Sequence, residues 1–281
     1  MFRKQLILKY LEYGFDKSEA IAEIDLAYDL VSGLRAKDVL LGNEPSLAEK
    51  NRIQSIVDER IVSKKPIQHL LGESYFMGDL FFVNKHTLIP RPETELLVVE
   101  TLKKIDLNTD KIRVLEIGSG TGCISVEIAK YARNADIVSV DISDKALKVA
   151  RENAMRHCVG NRIVFVLSDL FENVHGEFDI IVSNPPYIPL AEKAALQVEV
   201  KDYEPHSALF ADDDLGLSFY EKITLESANF LKNRGCLLFE LGINQSKSVE
   251  CIMKENGFCN IMLSKDFEGI GRVISGEKYS H

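Results

Sequence analysis

Apolar residues recur at helical spacing through the first 72 residues. Phe2, Leu6, Ile7, Tyr10 and Leu11 share one helical face. Ser18 precedes a second run, in which Ile21, Ile24, Leu26, Ala27 and Leu30 recur every two to four positions. A third run, Ile53, Ile56, Val57 and Ile61, follows Ser46, a suitable helix cap. No strand pattern interrupts these runs, so a small helical domain is expected over residues 1–72. Residues 73–91 change character. Aromatic and β-branched residues flank Met77-Gly78-Asp79, which predicts a linking β-hairpin. Pro90-Arg91-Pro92 then forces an extended segment, and a helix begins at Glu93.

From about residue 112 onward, strand-like and helix-like runs alternate. The expected strands are Val114–Ile117, Ile137–Val140, Ile163–Leu167, Phe178–Ser183, Cys236–Leu241 and two late runs near 258–264 and 271–275. The expected helices lie near 122–133, 144–157, 216–232 and 245–256. This alternation predicts an α/β domain over 92–281, with a mainly parallel sheet covered on both faces. Ligands of such sheets sit beyond the carboxyl ends of the strands.

Composition narrows the class without changing this picture. At 281 residues the chain has room for about two domains. Hydrophobic residues at 46% and charged residues at 27% fit a globular protein, not a disordered, collagenous or coiled-coil chain. The net charge of −9 opposes avid nonspecific binding to a phosphate backbone. Five cysteines (123, 158, 236, 251 and 259) show no CxxC spacing, which predicts reduced thiols in a cytoplasmic protein. Cys123 and Cys236 lie in apolar runs and are expected in the core. No apolar stretch approaches a membrane span, and Lys9 breaks the short apolar run near the N-terminus that a signal peptide would need. His69, His86, His157, His175, His206 and His281 lack metal-ligand spacing, so no metal is expected.

The first chemical signal is Glu116-Ile117-Gly118-Ser119-Gly120-Thr121-Gly122-Cys123, running from a strand into a helix. Its glycines let the backbone turn tightly and approach a ligand. A dinucleotide-type GxGxxG would need glycine where Cys123 stands, and no GK[ST] follows, which excludes a P-loop. The next strand ends at Asp141, where a carboxylate can accept hydrogen bonds from both ribose hydroxyls. The third strand ends Ser168-Asp169-Leu170, where an adenine would lie. Glu116 can orient the glycine loop or meet a cationic ligand group.

The second signal is Asn184-Pro185-Pro186-Tyr187 at the end of the fourth strand. Neither proline has an N–H, so the ladder ends there and carbonyls are left free. Asn184 adds a side-chain carbonyl and Tyr187 an aromatic face. An NH2 group conjugated to a π system is a poor nucleophile. Two acceptors, Asn184 Oδ1 and the Pro185 carbonyl, can hold its two hydrogens and fix it at a near-attack distance of about 3–3.5 Å. Both dipoles then face the positive charge that develops on nitrogen.

Together these motifs resemble the S-adenosylmethionine site of class I methyltransferases that modify planar NH2 groups. A longer set is similar to the protein-(glutamine-N5) methyltransferases of peptide chain release factors. It comprises Pro66-Ile67-Gln68-His69, Leu71-Gly72-Glu73, Leu88–Glu95 (LIPRPETE), Glu116–Ile124, Asn184–Ile188, Tyr203-Glu204-Pro205, Ala208-Leu209-Phe210, Phe219-Tyr220, and Glu240-Leu241-Gly242 with Gln245. The resemblance runs from about residue 66 to the C-terminus. It implies a class I S-adenosylmethionine-dependent methyltransferase fold (Rossmann-like, mainly parallel, seven-stranded) behind the helical domain and hairpin. It implies S-adenosyl-L-methionine as cofactor, held by Gly118, Ser119, Gly120, Thr121, Gly122, Asp141, Leu170 and Asn184. Asn184, Pro185, Pro186 and Tyr187 would bind the glutamine amide of the Gly-Gly-Gln motif in class I release factors, with Asn184, Pro185 and Tyr187 catalytic. The helical domain would contact the release factor body, and the protein would act as a monomer. Some relatives carry tryptophan where Leu170 stands; Leu170 can pack on adenine but cannot stack. Glu93 and Glu95 are open as active-site acids or simple helix-start acids. The alternatives are a nucleic-acid amino methyltransferase, which the net charge opposes, and an inactive translation-associated binding protein, which the intact motifs oppose.

Overall fold

The computed structural model describes residues 2–106 and 111–279. His281 lies outside them. In chain order the elements are α1 (Phe2–Glu12), α2 (Lys17–Ser32), α3 (Ala36–Leu40), α4 (Leu47–Ser63), α5 (Ile67–Leu71), β1 (Glu73–Phe76), β2 (Asp79–Phe82), α6 (Pro92–Asp106), β3 (Ile112–Ile117), α7 (Cys123–Tyr131), β4 (Ala135–Asp141), α8 (Asp144–Arg156), β5 (Ile163–Leu167), β6 (Phe178–Ser183), β7 (Ile188–Pro189), α9 (Val198–Tyr203), β8 (Phe210–Ala211), α10 (Ser218–Phe230), β9 (Leu231–Glu240), α11 (Ser246–Glu255), β10 (Phe258–Lys265) and β11 (Gly271–Lys278).

Contacts divide the chain into two compact units. The smaller runs to Glu73 and also takes in Gln197–Tyr203; the larger is Ser74–Leu196 with the chain from Glu204 onward. The hairpin, read from sequence as a linker, therefore lies almost wholly in the larger unit.

In the smaller unit, Leu6, Tyr10, Ile24, Ala27, Ile53, Val57 and Ile61 form the core, at the helical spacing of the sequence. Ser46 caps α4 in a capping box: Glu49 N–H donates to Ser46 Oγ, and Ser46 N–H donates to the Glu49 carboxylate at 2.7 Å. The cap of α2 is Asp16 rather than Ser18, because Asp16 Oδ1 accepts from the N–H of both Ser18 and Glu19. Inside this core lies a charge. Arg60 is 1% exposed and donates to Glu23 at 2.9 Å, Glu19 at 2.9 Å and Glu199 at 2.8 Å, with the Phe15 ring 4.7 Å away. Glu199 belongs to α9, so this cluster and the Tyr203 hydroxyl bond to the Ser63 carbonyl hold α9 in the helical unit. Removing one partner of such a buried ion cluster costs about 3–5 kcal/mol.

The larger unit carries a seven-stranded sheet in the order β10-β11-β9-β6-β3-β4-β5. β9, β6, β3, β4 and β5 are parallel; β11 alone is reversed, pairing antiparallel with β9 on one side and with β10 on the other. Successive residues of a strand face opposite sides. Val114, Ile180 and Leu238 accordingly pack with α6 and α7, whereas Leu115, Ile181 and Leu237 pack with α10 and α11. Cys123 and Cys236 are both buried in the first of these layers. Among the described residues, no helix is long and apolar enough to cross a membrane.

Candidate active site

Strand register builds the site. Ile117 pairs with Val140 on one side and Ser183 on the other, and Ser183 pairs with Phe239. The next residues, Gly118, Asp141, Asn184 and Glu240, therefore lie at one level, at the carboxyl ends of their strands. β4 and β6 flank β3, so the chain reverses its order across the sheet at β3, the place where open α/β sheets bind ligands. A cavity of about 360 Å3 opens there. Its wall includes Gly118, Ser119, Gly120, Thr121, Asp141, Leu170, Asn184, Pro185 and Pro186. Gly122 and Tyr187 are off that wall.

The loop after β3 is held by its own neighbourhood. Asp141 Oδ2 accepts from Gly120 N–H at 2.9 Å, and its Oδ1 accepts from Ser143 N–H at 2.8 Å. Burial raises the Asp141 pKa, and these two bonds oppose the rise. At Gly120 the backbone has φ +52°, and an added Cβ would meet no protein atom within 4 Å, so this peptide is bared to the cavity. Gly122 differs. An added Cβ there would lie 2.9 Å from Ala150 Cβ, so this glycine lets α7 approach α8. Glu116 is fully buried and off the cavity wall. Its Oε2 accepts from the Ser125 and Ser139 hydroxyls, and Ser139 is bonded to Ser119. Through these bonds Glu116 braces the glycine loop from beneath. Burial pushes its carboxyl up to about 7, against the pull of the two serines.

The Asn184 side is assembled from distant segments. Asn184 Nδ2 donates to Thr94 Oγ1 at 3.3 Å, in the first turn of α6. Glu240, 2% exposed, lies beside the Thr94 and Asn184 side chains, and its Oε2 is buried without a hydrogen-bond partner among the described residues. Burial pushes the Glu240 carboxyl up to about 7, and the neighbouring Thr94 hydroxyl is the largest effect opposing it. Behind the loop, Gln245 Nε2 donates to the carbonyls of Tyr187 at 3.0 Å and Leu215 at 3.1 Å, while its Oε1 accepts from Gly242 N–H at 3.0 Å. The Tyr187 ring packs with the α10–α11 layer, and burial raises its hydroxyl pKa. Arg91, on the cavity wall, donates through Nη2 to both oxygens of the buried Glu204 at 2.7 and 2.9 Å.

Several neighbours depart from the sequence reading. Thr94 and His86 line the cavity, whereas Glu93 and Glu95 do not. Glu95 accepts from Met77 N–H at 2.7 Å and so supports the hairpin turn. Glu93 lies within electrostatic reach of Glu240 and Arg272. Thr94 is the polar helix-start residue that escaped notice beside two acids. Among the described residues, no cluster of three or more His, Cys, Asp or Glu is placed to hold a metal ion.

A mainly parallel seven-stranded sheet, a glycine loop facing a strand-end acid and an NPPY loop at the same level define a methyltransferase of the class I fold. Residues 92–200 match the "Methyltransferase small domain" family. A methyltransferase structure from Pyrococcus furiosus shares the fold with a TM-score of 0.54, at 16% identity, over 82% of this chain and 99% of that one. Curated sequences carry the assignment further. The release factor glutamine methyltransferase of Flavobacterium psychrophilum is 38% identical over 92% of this chain and 92% of its own. That of Chlorobaculum tepidum is 35% identical over 97% of this chain and 94% of its own. The chain belongs to the release factor glutamine methyltransferase family.

Proposed function

We propose that this protein transfers a methyl group from S-adenosyl-L-methionine to the side-chain amide nitrogen, N5, of the glutamine in the Gly-Gly-Gln motif of class I release factors. One observation carries the reading. Asn184 stands on the cavity wall with its amide nitrogen engaged by Thr94, which leaves Oδ1 as an acceptor for an incoming NH2 group.

The residues present fit the cofactor. The peptide at Gly120 is open to the cavity, Asp141 stands opposite it for the ribose hydroxyls, and Leu170 gives an apolar wall for adenine. When bound, S-adenosylmethionine supplies an electrophilic methyl group on a sulfonium. Asn184 Oδ1 and the Pro185 carbonyl would hold the two amide hydrogens, keeping the nitrogen lone pair turned to the methyl group. As the bond forms, positive charge grows on nitrogen, and both acceptor dipoles already face it. The methylated amide is then acidic enough to lose its proton to water or a carbonyl, so no strong base is needed. Gln245, by fixing the Tyr187 carbonyl, keeps the loop in this shape. The helical unit is assigned to docking the release factor body, and the protein is read as a cytoplasmic monomer.

The test offers two acceptors to the same enzyme with labelled cofactor: a Gly-Gly-Gln peptide from a release factor and adenine- or cytosine-containing oligonucleotides. Label on the peptide alone is expected. Label on the oligonucleotides alone would replace this substrate assignment with a nucleic-acid one.

A further inference from the structure

The acceptor chemistry works only if Asn184 presents oxygen to the substrate. A primary amide is nearly symmetric in shape, and turning it over would place an NH2 donor against the NH2 to be methylated. Something on the inner side must therefore choose the orientation. The register places Glu240 directly beside Asn184, because Ser183 and Phe239 are partners on adjacent parallel strands. The first turn of α6 brings Thr94 to the same spot. Glu240 lies beside the Thr94 hydroxyl and the Asn184 amide, and its Oε2 is buried without a hydrogen-bond partner among the described residues. Thr94 Oγ1 accepts from Asn184 Nδ2 at 3.3 Å, and the unpartnered Glu240 oxygen is the second acceptor open to the same group.

We infer that Thr94 and Glu240 are positioning residues that hold the Asn184 amide nitrogen inward and so aim Oδ1 at the substrate nitrogen. The pair touches neither substrate nor reacting atoms through Glu240, which is 2% exposed. It acts through Asn184. The inference rests on the proposed glutamine-amide acceptor. It adds a part that the NPPY loop alone does not contain: an oxygen-lined inner wall drawn from two other segments of the chain.

The measurement is steady-state methyl transfer to a Gly-Gly-Gln peptide by the full chain, with cofactor affinity determined separately. The variants are Glu240→Gln, Thr94→Val, Thr94→Ser, Asn184→Ala and the double Asn184→Ala/Glu240→Gln. Gln at 240 offers an NH2 that bonds the amide in either orientation, so kcat should fall on the order of 10-fold to 100-fold. The peptide KM and the cofactor Kd should stay within about threefold, since the lost interaction belongs to the transition state. Thr94→Val should lower kcat similarly, and Thr94→Ser should restore most of it. In the Asn184→Ala background, Glu240→Gln should cost nothing further, which a merely structural role would not produce. Glu240→Gln with wild-type kcat, or with its full loss repeated in the Asn184→Ala background, would overturn the inference. Should Glu240→Gln fail to fold, equal rates for Thr94→Val and Thr94→Ser would overturn it as well. A wild-type enzyme that leaves the peptide unmethylated overturns the substrate reading first, which separates the two failures.

Discussion

The two walls of the cavity are built differently. The glycine-loop wall is local. Its peptide groups, the Asp141 carboxylate that fixes them and the Glu116–Ser139–Ser119 chain beneath all fall between residues 116 and 143. The Asn184 wall is not. Thr94, Asn184, Glu240 and Gln245 come from four segments and meet only because β6 lies beside β9 and α6 ends against both. A wall that binds a cofactor can be made of backbone, because a nucleoside needs little more than space, amides and one carboxylate. A wall that orients a single weak nucleophile needs side chains held by other side chains.

Breaking the second wall should have the largest effect on activity. Asn184→Ala is expected to lose on the order of 10³-fold in kcat while unfolding near the wild-type temperature. Thermal melts beside single-turnover rates check both halves, and a substantially active variant contradicts the account. The first wall should answer to stability as much as to activity, and its glycines separate the two. Gly122→Ala must accept a left-handed backbone and a clash with Ala150, together about 2–4 kcal/mol by denaturant unfolding. Gly120→Ala carries only the backbone strain, about 1–2 kcal/mol, but should weaken cofactor binding more. The reverse order would show that Gly122 rather than Gly120 faces the cofactor. Asp141→Ala removes the acceptor for Gly120 and Ser143 and should weaken cofactor binding by about 10-fold to 100-fold in calorimetry, with unchanged peptide KM at saturating cofactor.

The remaining effect is a pH dependence. Glu116 has its carboxyl raised from the ordinary 4.5 to about 7 by burial. The native state therefore keeps a proton that the unfolded chain releases, and stability from this group declines as pH rises from about 4.5 to 7. Glu116→Gln cannot titrate, so its stability relative to wild type should grow by about 1–3 kcal/mol between pH 4.5 and pH 8. Parallel stability profiles for the two proteins would show that Glu116 is charged in the fold.

The same contrast decides what the sequence could tell. Strand alternation, the glycine loop and Asp141 are local patterns, and they led directly to the sheet and to one wall. Asn184-Pro185-Pro186 was legible because two prolines end a strand in any context. Thr94 and Glu240 were not, because their role depends on which strands are neighbours, and β9 joins β6 only after a crossover. The visible trace of Glu240 was a carboxylate at the end of an apolar strand, the same signal that marked Asp141. Tyr187 was read as a substrate platform from its aromatic character, yet its ring lies off the cavity wall among the α10–α11 side chains. The resemblance implies Gly122 as a cofactor residue, and the fold gives it a packing role beside Ala150 that its motif does not report. The capture of Val198–Tyr203 by the helical unit rests on the Arg60 ion cluster and the Tyr203 bond to the Ser63 carbonyl, which no periodicity reports.

The most direct test is mass spectrometry of an intact, unmethylated release factor after incubation with this protein and S-adenosylmethionine. A gain of one methyl, about 14 Da, mapped to the Gly-Gly-Gln glutamine and absent with Asn184→Ala, is the predicted result. A methyl on any other residue, or one that persists with Asn184→Ala, would contradict the assignment of Asn184 as the group that holds the glutamine amide.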